Sequence, residues 1–418
     1  MIGYVWPETN ASAAGLRDWA LLEQFRAAGW KVSYASPAKP NVFSEKLESL
    51  GVPTFSCEAN DPRFDEFVRK LNPDLVLFDR FVTEEQFGWR VDENCPGAIR
   101  LLDTQDLHCL RRAREAALKA GWALDRIHEA PESMIEDFAK DDLHRELSSI
   151  YRSDLTLVIS GFEMQLLTQR YSIPPELLLL QRLSYTPRDP RELPGFQQRQ
   201  HFVSIGNFRH APNADAILWL QREIWPLIRK RMPDAQIHIY GAYPSREMMA
   251  LSDPKQGFVV KGPAQDQYET LKSYRVLLAP LRFGAGIKGK ISDAWSVGTP
   301  VVTTPVGAEG MCEGYDWPGE ITQTAEAFAE KACALYSGEQ SWTGYQSAGL
   351  SLIQRLYNPT SNSRALLTVL SELHASLADR RRSNLVGRLL SHNLHRSTKY
   401  FSKWIEVKQA VKAGTPVA

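Results

Sequence analysis

Short apolar runs alternate with amphipathic stretches through the first half of the chain. Residues 2–5, 32–35, 75–78, 99–102 and 155–159 have the length and composition of buried strands. Between them, residues 16–28, 64–71, 106–120 and 141–151 carry apolar side chains at helical spacing. This rhythm predicts a doubly wound parallel sheet. Ligands of such sheets sit off the C-terminal strand ends. That gathers residues 7–15, 79–81 and 103–108 around one cleft.

Residues 187–200 are polar and hold three prolines, which predicts a linker. The rhythm then restarts. Strands are expected at 201–205, 236–240, 258–261 and 276–280, with helices at 213–232 and 266–273. The chain therefore divides into a first Rossmann-like domain (1–186), the linker (187–200), a second Rossmann-like domain (201–375) and a helical extension (376–418).

The extension has apolar positions Val386, Leu390, Leu394, Phe401 and Ile405 at helical spacing, flanked by Leu385, Leu389, Tyr400 and Trp404. It carries nine Arg or Lys against Asp379 and Glu406. It reads as a basic amphipathic helix that packs across the first domain and turns its basic face to water. A peripheral membrane contact through 380–410 is the alternative.

At 418 residues, with 43% hydrophobic and 23% charged side chains, the chain has the profile of a two-domain globular protein. Its formal net charge is zero, which gives no electrostatic call for nucleic acid. Cys57, Cys95, Cys109, Cys312 and Cys333 form no CxxC and no paired spacing, so neither a disulfide scaffold nor a zinc site is expected. Residues 1–7 read as a first strand rather than a signal peptide. No apolar run reaches the roughly 18–20 residues of a spanning helix, and a cytoplasmic location is expected.

The densest chemistry lies at 279–303. An apolar strand enters Gly284-Ala-Gly-Ile-Lys-Gly, and a helix with Lys290 and Asp293 follows. Gly298 stops the helix and Pro300 opens the next strand. A glycine turn at a helix N-terminus favours an anion. Two lysines add charge, and a carboxylate along the helix can accept ribose hydroxyls.

The run RFGAGIKGKISDAWSVGTPVVTTPVGAEG at 282–310 resembles the donor-site signature of the group 1, family 4 glycosyltransferases. Residues 202–216 resemble the first strand and loop of that family's second domain. Residues 7–15 resemble its first-domain glycine loop, and 102–111 its D-x-x-D-L-H segment. The resemblance implies an α/β protein of GT-B fold, with two domains facing across a cleft. It also implies transfer of a sugar from a nucleotide-diphosphate sugar to an acceptor hydroxyl, with retention.

In that pattern Gly284, Ala285, Gly286 and Ile287 present backbone to the donor. Lys290, seconded by Lys288, meets the diphosphate. Asp293 stands where the family usually has a ribose-binding Glu, and Ala285 stands where it often has another Glu. Arg209 reads either as a diphosphate ligand or as an exposed loop arginine. His108 faces the reacting sugar. Asp106 assists it or N-caps the following helix. Gly15 closes onto the donor phosphate, and Glu309 lines the donor pocket or caps a helix. Cys109 reads as a small core residue. With no D-x-D motif at a strand end, no obligatory metal or other cofactor is expected. The expected partners are the donor and a glycan, lipid-linked or other hydroxyl acceptor. A sugar-nucleotide epimerase or hydrolase on the same fold, and a non-catalytic nucleotide-sugar-binding subunit, remain the alternatives.

Overall fold

The computed structural model describes residues 1–9 and 13–412. Residues 10–12, the start of the Asn10–Gly15 loop, and the side chain of Leu394 lie outside the described residues. Two parallel sheets, each flanked by helices, make up the described chain.

The first sheet contains β1 (Tyr34–Ser36), β2 (Thr54–Ser56), β3 (Leu75–Asp79), β4 (Ile99–Asp103), β5 (Leu155–Val158) and β6 (Leu178–Leu180). β3 to β6 pair in sequence order, and β1 pairs with β2. The expected strand at residues 2–5 shrinks to one bridging residue. Ile2 pairs with Ala35 of β1 and Phe78 of β3, tying the two groups together. The chain leaves the ladder at Tyr4, whose N–H turns to the Asp79 carboxylate at 3.1 Å. β2 and β6 are three-residue strands absent from the sequence-based expectation, as are the helices Val42–Ser49 and Arg80–Asn94.

The second sheet contains β7 (Gln200–Ile205), β8 (Ile237–Tyr240), β9 (Phe258–Gly262), β10 (Tyr274–Ala279), β11 (Val301–Thr303) and β12 (Gly319–Ile321), in spatial order β12-β11-β10-β7-β8-β9. Every pairing in it is parallel. Numbered within the domain this is 3-2-1-4-5-6, the order of doubly wound nucleotide folds. The order reverses between β7 and β10, and a crevice opens there.

The long helix expected at 213–232 is interrupted. Ala211–Trp219 passes through a wide turn at Leu220–Ile224 into Trp225–Arg231. Pro226 explains the break: it has no N–H to donate, and its ring meets the carbonyl four residues back, inside the wide turn. Helix Gly289–Ser296 stops as expected, with Gly298 at φ 69° releasing the chain into β11.

The linker region forms two short turns, Pro190–Glu192 and Phe196–Gln198. Arg199, fully buried, anchors its end by donating to Thr299 Oγ1 (2.6 Å) and Val297 O (2.7 Å). Helix Pro359–Ser383 runs unbroken through residue 375. Its Leu366, Leu370 and Leu373 join an apolar cluster with Leu77, Leu101 and Leu157 of the first sheet, so the chain returns to the first half before the extension begins.

The extension continues as Leu385–Leu390 and Arg396–Lys412. It packs on the first half, and Arg388, Arg396, Lys408 and Lys412 stay exposed as expected, but the apolar stripe is turned outward as well. Ser402 is buried against Asn60, and Glu406 pairs with the buried Arg90. Tyr400, Phe401 and Trp404 face outward at 66%, 63% and 55% exposure. No helix among the described residues is long and apolar enough to cross a membrane. The five cysteines are free thiols, and Cys109 is buried in the first core, as its sequence context suggested.

Candidate functional site

A cleft of about 570 Å³ opens where the C-terminal ends of β7 and β10 face the first half. That is an ordinary size for a small-molecule site. Its second-half wall carries Gly206, Asn213, Gly284, Lys288, Lys290 and Asp293. Its first-half wall carries Ala13, Arg80, Gln105, Asp106, His108 and Arg111.

Lys290 and Asp293 stand one turn apart at the start of helix Gly289–Ser296. Lys290 Nζ donates to Asn213 Oδ1 at 2.7 Å. Burial draws its ammonium down to about 7, against the pull of Asp293. Burial raises the Asp293 carboxyl to about 7, opposed by the Tyr185 hydroxyl, Lys290 and the Tyr268 hydroxyl. Asp293 Oδ1 is buried and has no hydrogen-bond partner among the described residues. Such an atom costs free energy unless something fills its valence, and it lies in a side chain that lines the cleft.

The glycine turn is not a bare backbone cradle. Gly286 N–H donates to Glu163 Oε1 (2.8 Å), and Gly284 O accepts from Arg114 (2.8 Å). Both partners belong to the first half, and Ala285 joins the first half's apolar cluster. Gly286 sits at φ 63°, and a Cβ there would lie 3.0 Å from Asp106 Cβ. The glycine is needed because the two walls touch. A Cβ on Gly289 would likewise approach Ala13 Cβ at 2.9 Å. Ile287 lines the cleft from the same turn. Lys288 lines it too, but its Nζ donates to Ala285 O (3.2 Å) and Gly286 O (2.5 Å). It braces its own loop.

Glu309 does not line the cleft. It stands at the C-terminal end of helix Pro305–Ala308 and forms a two-pronged ion pair with Arg114 at 2.7–2.8 Å, both side chains buried. Arg209 is exposed and lies over the Tyr243 ring at 4.2 Å, and it is not among the residues that line the cleft. Tyr243 in turn donates to Glu8 across the rim at 2.7 Å. Gly15 is buried in helix Ala13–Ala27, where a side chain would strike the backbone of Glu8; its neighbours Ala13, Ala14 and Leu16 reach the cleft.

On the first-half wall, Asp106 pairs with Arg111 at 2.7 Å and lies 3.4 Å from His108 Nε2. Asp106 does not cap the next helix. Its first N–H groups, on His108 and Cys109, are taken by Glu146 at 2.8 Å each, and Leu107 N–H goes to Glu163. Asp103 is turned away into a buried pair with Arg17 at 2.8 Å. Burial and the Arg111 and Arg80 charges lower His108 to about 4, although Asp106 opposes them. The imidazole is therefore neutral through the physiological range. Arg111, His210 and Tyr268 also line the cleft. Sequence reasoning did not single them out, although Arg111 follows His108 by one helical turn.

Residues 199–338 match the family described as Glycosyl transferases group 1. The match covers less than half of the chain. Over about nine-tenths of its length the chain has the GT-B fold. It is similar to a glycosyltransferase from Rickettsia africae, at 13% identity and TM-score 0.64, over 89% of this chain and 98% of that one. It is similar to sucrose-phosphate synthase from Thermosynechococcus elongatus, at 15% identity and TM-score 0.65, over 90% and 99%. It is also similar to Anabaena HepE solved with UDP-glucose, at 12% identity and TM-score 0.65, over 89% and 99%. No curated protein matches it by sequence.

Proposed function

We propose that this chain transfers a glycosyl group from a nucleoside-diphosphate sugar to an acceptor hydroxyl, with retention, in glycan or glycoconjugate synthesis. The reading rests most on one observation. Lys290 and Asp293, one of whose carboxylate oxygens has no hydrogen-bond partner among the described residues, stand together in the cleft, at the β7/β10 crossover, within the span that matches the group 1 glycosyltransferases. The ribose hydroxyls would satisfy Asp293 Oδ1, and the diphosphate would lie against Lys290 and the N-terminus of its helix. Charge accumulates on the departing diphosphate as the glycosidic bond breaks. A fixed ammonium there favours the transition state over the ground state. That the solved HepE complex contains UDP-glucose supports a nucleotide-sugar donor.

Arg80, Arg111 and neutral His108 would face the donor sugar and phosphate from the other wall. Asp106 would orient the imidazole by facing its one N–H, on Nε2, from 3.4 Å, leaving the other ring nitrogen to accept a hydrogen bond from a sugar hydroxyl. The reaction needs no metal in this reading.

The test is a thermal-shift screen with UDP, GDP, ADP and their sugars. It is followed by assay of nucleoside diphosphate release with and without hydroxyl acceptors. Stabilisation by one donor class, with acceptor-dependent release abolished in Lys290→Ala, is expected. Release or isomerisation with donor alone would mark a hydrolase or epimerase. Binding without turnover across acceptors would mark a non-catalytic subunit.

A further inference from the structure

The C-terminal extension is packed inside out. A helix that serves only to cover a domain turns its apolar stripe inward. Here the inward side is polar: Ser402 is 3% exposed, Glu406 pairs with the fully buried Arg90, and Lys399 pairs with Glu93. The outward side carries Tyr400, Phe401, Trp404, Val407 and Val411, each 43–66% exposed and recurring at helical spacing. Leu385 and Leu389, at 57% and 55%, extend the apolar surface on the preceding helical segment. Phe401 and Trp404 stack on one another at 6.0 Å, and Lys408 lies 4.7 Å over the Trp404 ring.

Scattered exposed apolar residues need no explanation, whereas a contiguous aromatic and aliphatic stripe does. The polar groups around this stripe decide its occupant. Arg388, Arg396, Lys408 and Lys412 are exposed along the same two segments. The nearby acids are mostly engaged: Glu406 by Arg90, and Asp379 by Arg382. Tyr and Trp rings with lysines and arginines at their flanks match the boundary between acyl chains and anionic headgroups. A second copy of this chain would bring the same positive charge against itself.

We propose that the extension, residues 385–412, lays this outward face on an anionic lipid surface while its polar face stays docked on the first half. The protein is then held at a membrane by its edge, without a spanning segment. The inference rests on the extension alone and holds or fails independently of the transfer reaction.

The experiment is flotation of the full-length protein with vesicles of phosphatidylcholine, alone or mixed with phosphatidylglycerol. Flotation is expected with the mixed vesicles at low salt, and its loss with pure phosphatidylcholine or high salt. Phe401→Ser/Trp404→Ser removes flotation and leaves the melting temperature unchanged, because both rings face solvent. Lys408→Gln/Lys412→Gln weakens binding about fivefold for each charge removed. Absence of flotation overturns the proposal, as does flotation indifferent to these substitutions. It is equally overturned if Phe401→Ser/Trp404→Ser lowers the melting temperature, or if light scattering shows a dimer that the double substitution dissolves. The face would then be packed against this chain or a copy of it.

Discussion

On the second-domain side of the cleft, Lys290 and Asp293 come from a single helical turn that follows a glycine loop. On the opposite side, Arg80 follows β3, while Asp106, His108 and Arg111 surround the start of one helix, whose N–H groups are held by Glu146 from another. The Lys290 and Asp293 part of one wall is written in a run of ten residues, 284–293. The other is assembled from elements scattered over the first half. The walls also differ electrically. Lys290 is held near 7 and Asp293 keeps an empty acceptor, whereas Asp106 is satisfied by Arg111 and His108 is held neutral. The first-mentioned wall is poised for a ligand. The other is already internally paired and is suited to positioning. Arg114 and Glu163 join the two, since each bonds the glycine loop from across the cleft.

The largest effect tests that join. Arg114→Ala leaves Glu309 buried and unpaired, which costs about 3–5 kcal/mol. Urea unfolding should read this loss. Replacing both partners, Arg114→Met with Glu309→Leu, should restore most of it, because no lone charge then remains buried. If the single substitution is silent, the walls are not held together by this pair.

The next test ranks the walls directly. Lys290→Ala should lower turnover by about a hundredfold to a thousandfold, the usual cost of removing one preorganised electrostatic contact. His108→Ala removes a neutral hydrogen bond worth about 1 kcal/mol, or roughly fivefold. Steady-state rates of nucleoside diphosphate release compare them. A His108 effect larger than that of Lys290 would reverse the assignment of the walls.

The same asymmetry governs what the sequence disclosed. The loop and helix at 284–293 were legible because strand, glycine turn, lysine and carboxylate are contiguous, and the family pattern keeps them in order. Strands such as Leu155–Val158 were recognisable within a residue or two from their apolar runs. Thr54–Ser56 and Leu178–Leu180 were not, since three residues carry too little periodicity to separate strand from loop. The role of Glu146 was invisible because it lies 38 residues from the His108 N–H it caps. Glu309 looked like a donor-pocket residue because it follows a strand end, and only the fold reveals the guanidinium opposite it. The extension's amphipathicity was plain, but periodicity fixes two faces without saying which one is packed.

A smaller effect concerns pH. As pH rises through about 7, Lys290 loses its positive charge and Asp293 gains a negative one. Loss of the Lys290 charge makes the wall less attractive to a diphosphate, and it outweighs the better acceptor that an ionised Asp293 offers the ribose hydroxyls. Affinity for the nucleoside diphosphate that the screen identifies should therefore fall by about tenfold between roughly pH 6 and 8, the equivalent of one pKa unit. Isothermal titration would read it. In Lys290→Met/Asp293→Asn the slope should flatten, while His108→Ala should leave it intact because that imidazole does not titrate in this window. A slope that follows His108 would place the titrating wall on the other side.

The smallest effect is also the sharpest for the loop after β7. Arg209 lies in a position where a diphosphate ligand was conceivable, yet its guanidinium rests on the Tyr243 ring at 4.2 Å and is exposed. An exposed cation–π contact is worth about 0.5–1 kcal/mol. Arg209→Ala should therefore shift donor KM and turnover by less than about twofold, with any loss appearing in stability within about 1 kcal/mol. Tyr243→Phe, which keeps the ring but removes the hydroxyl bond to Glu8, separates the rim contact from the cation. If Arg209→Ala instead raises donor KM tenfold while Tyr243→Phe does not, the arginine swings into the cleft when the donor binds. The second wall would then extend one loop further than the unliganded geometry places it.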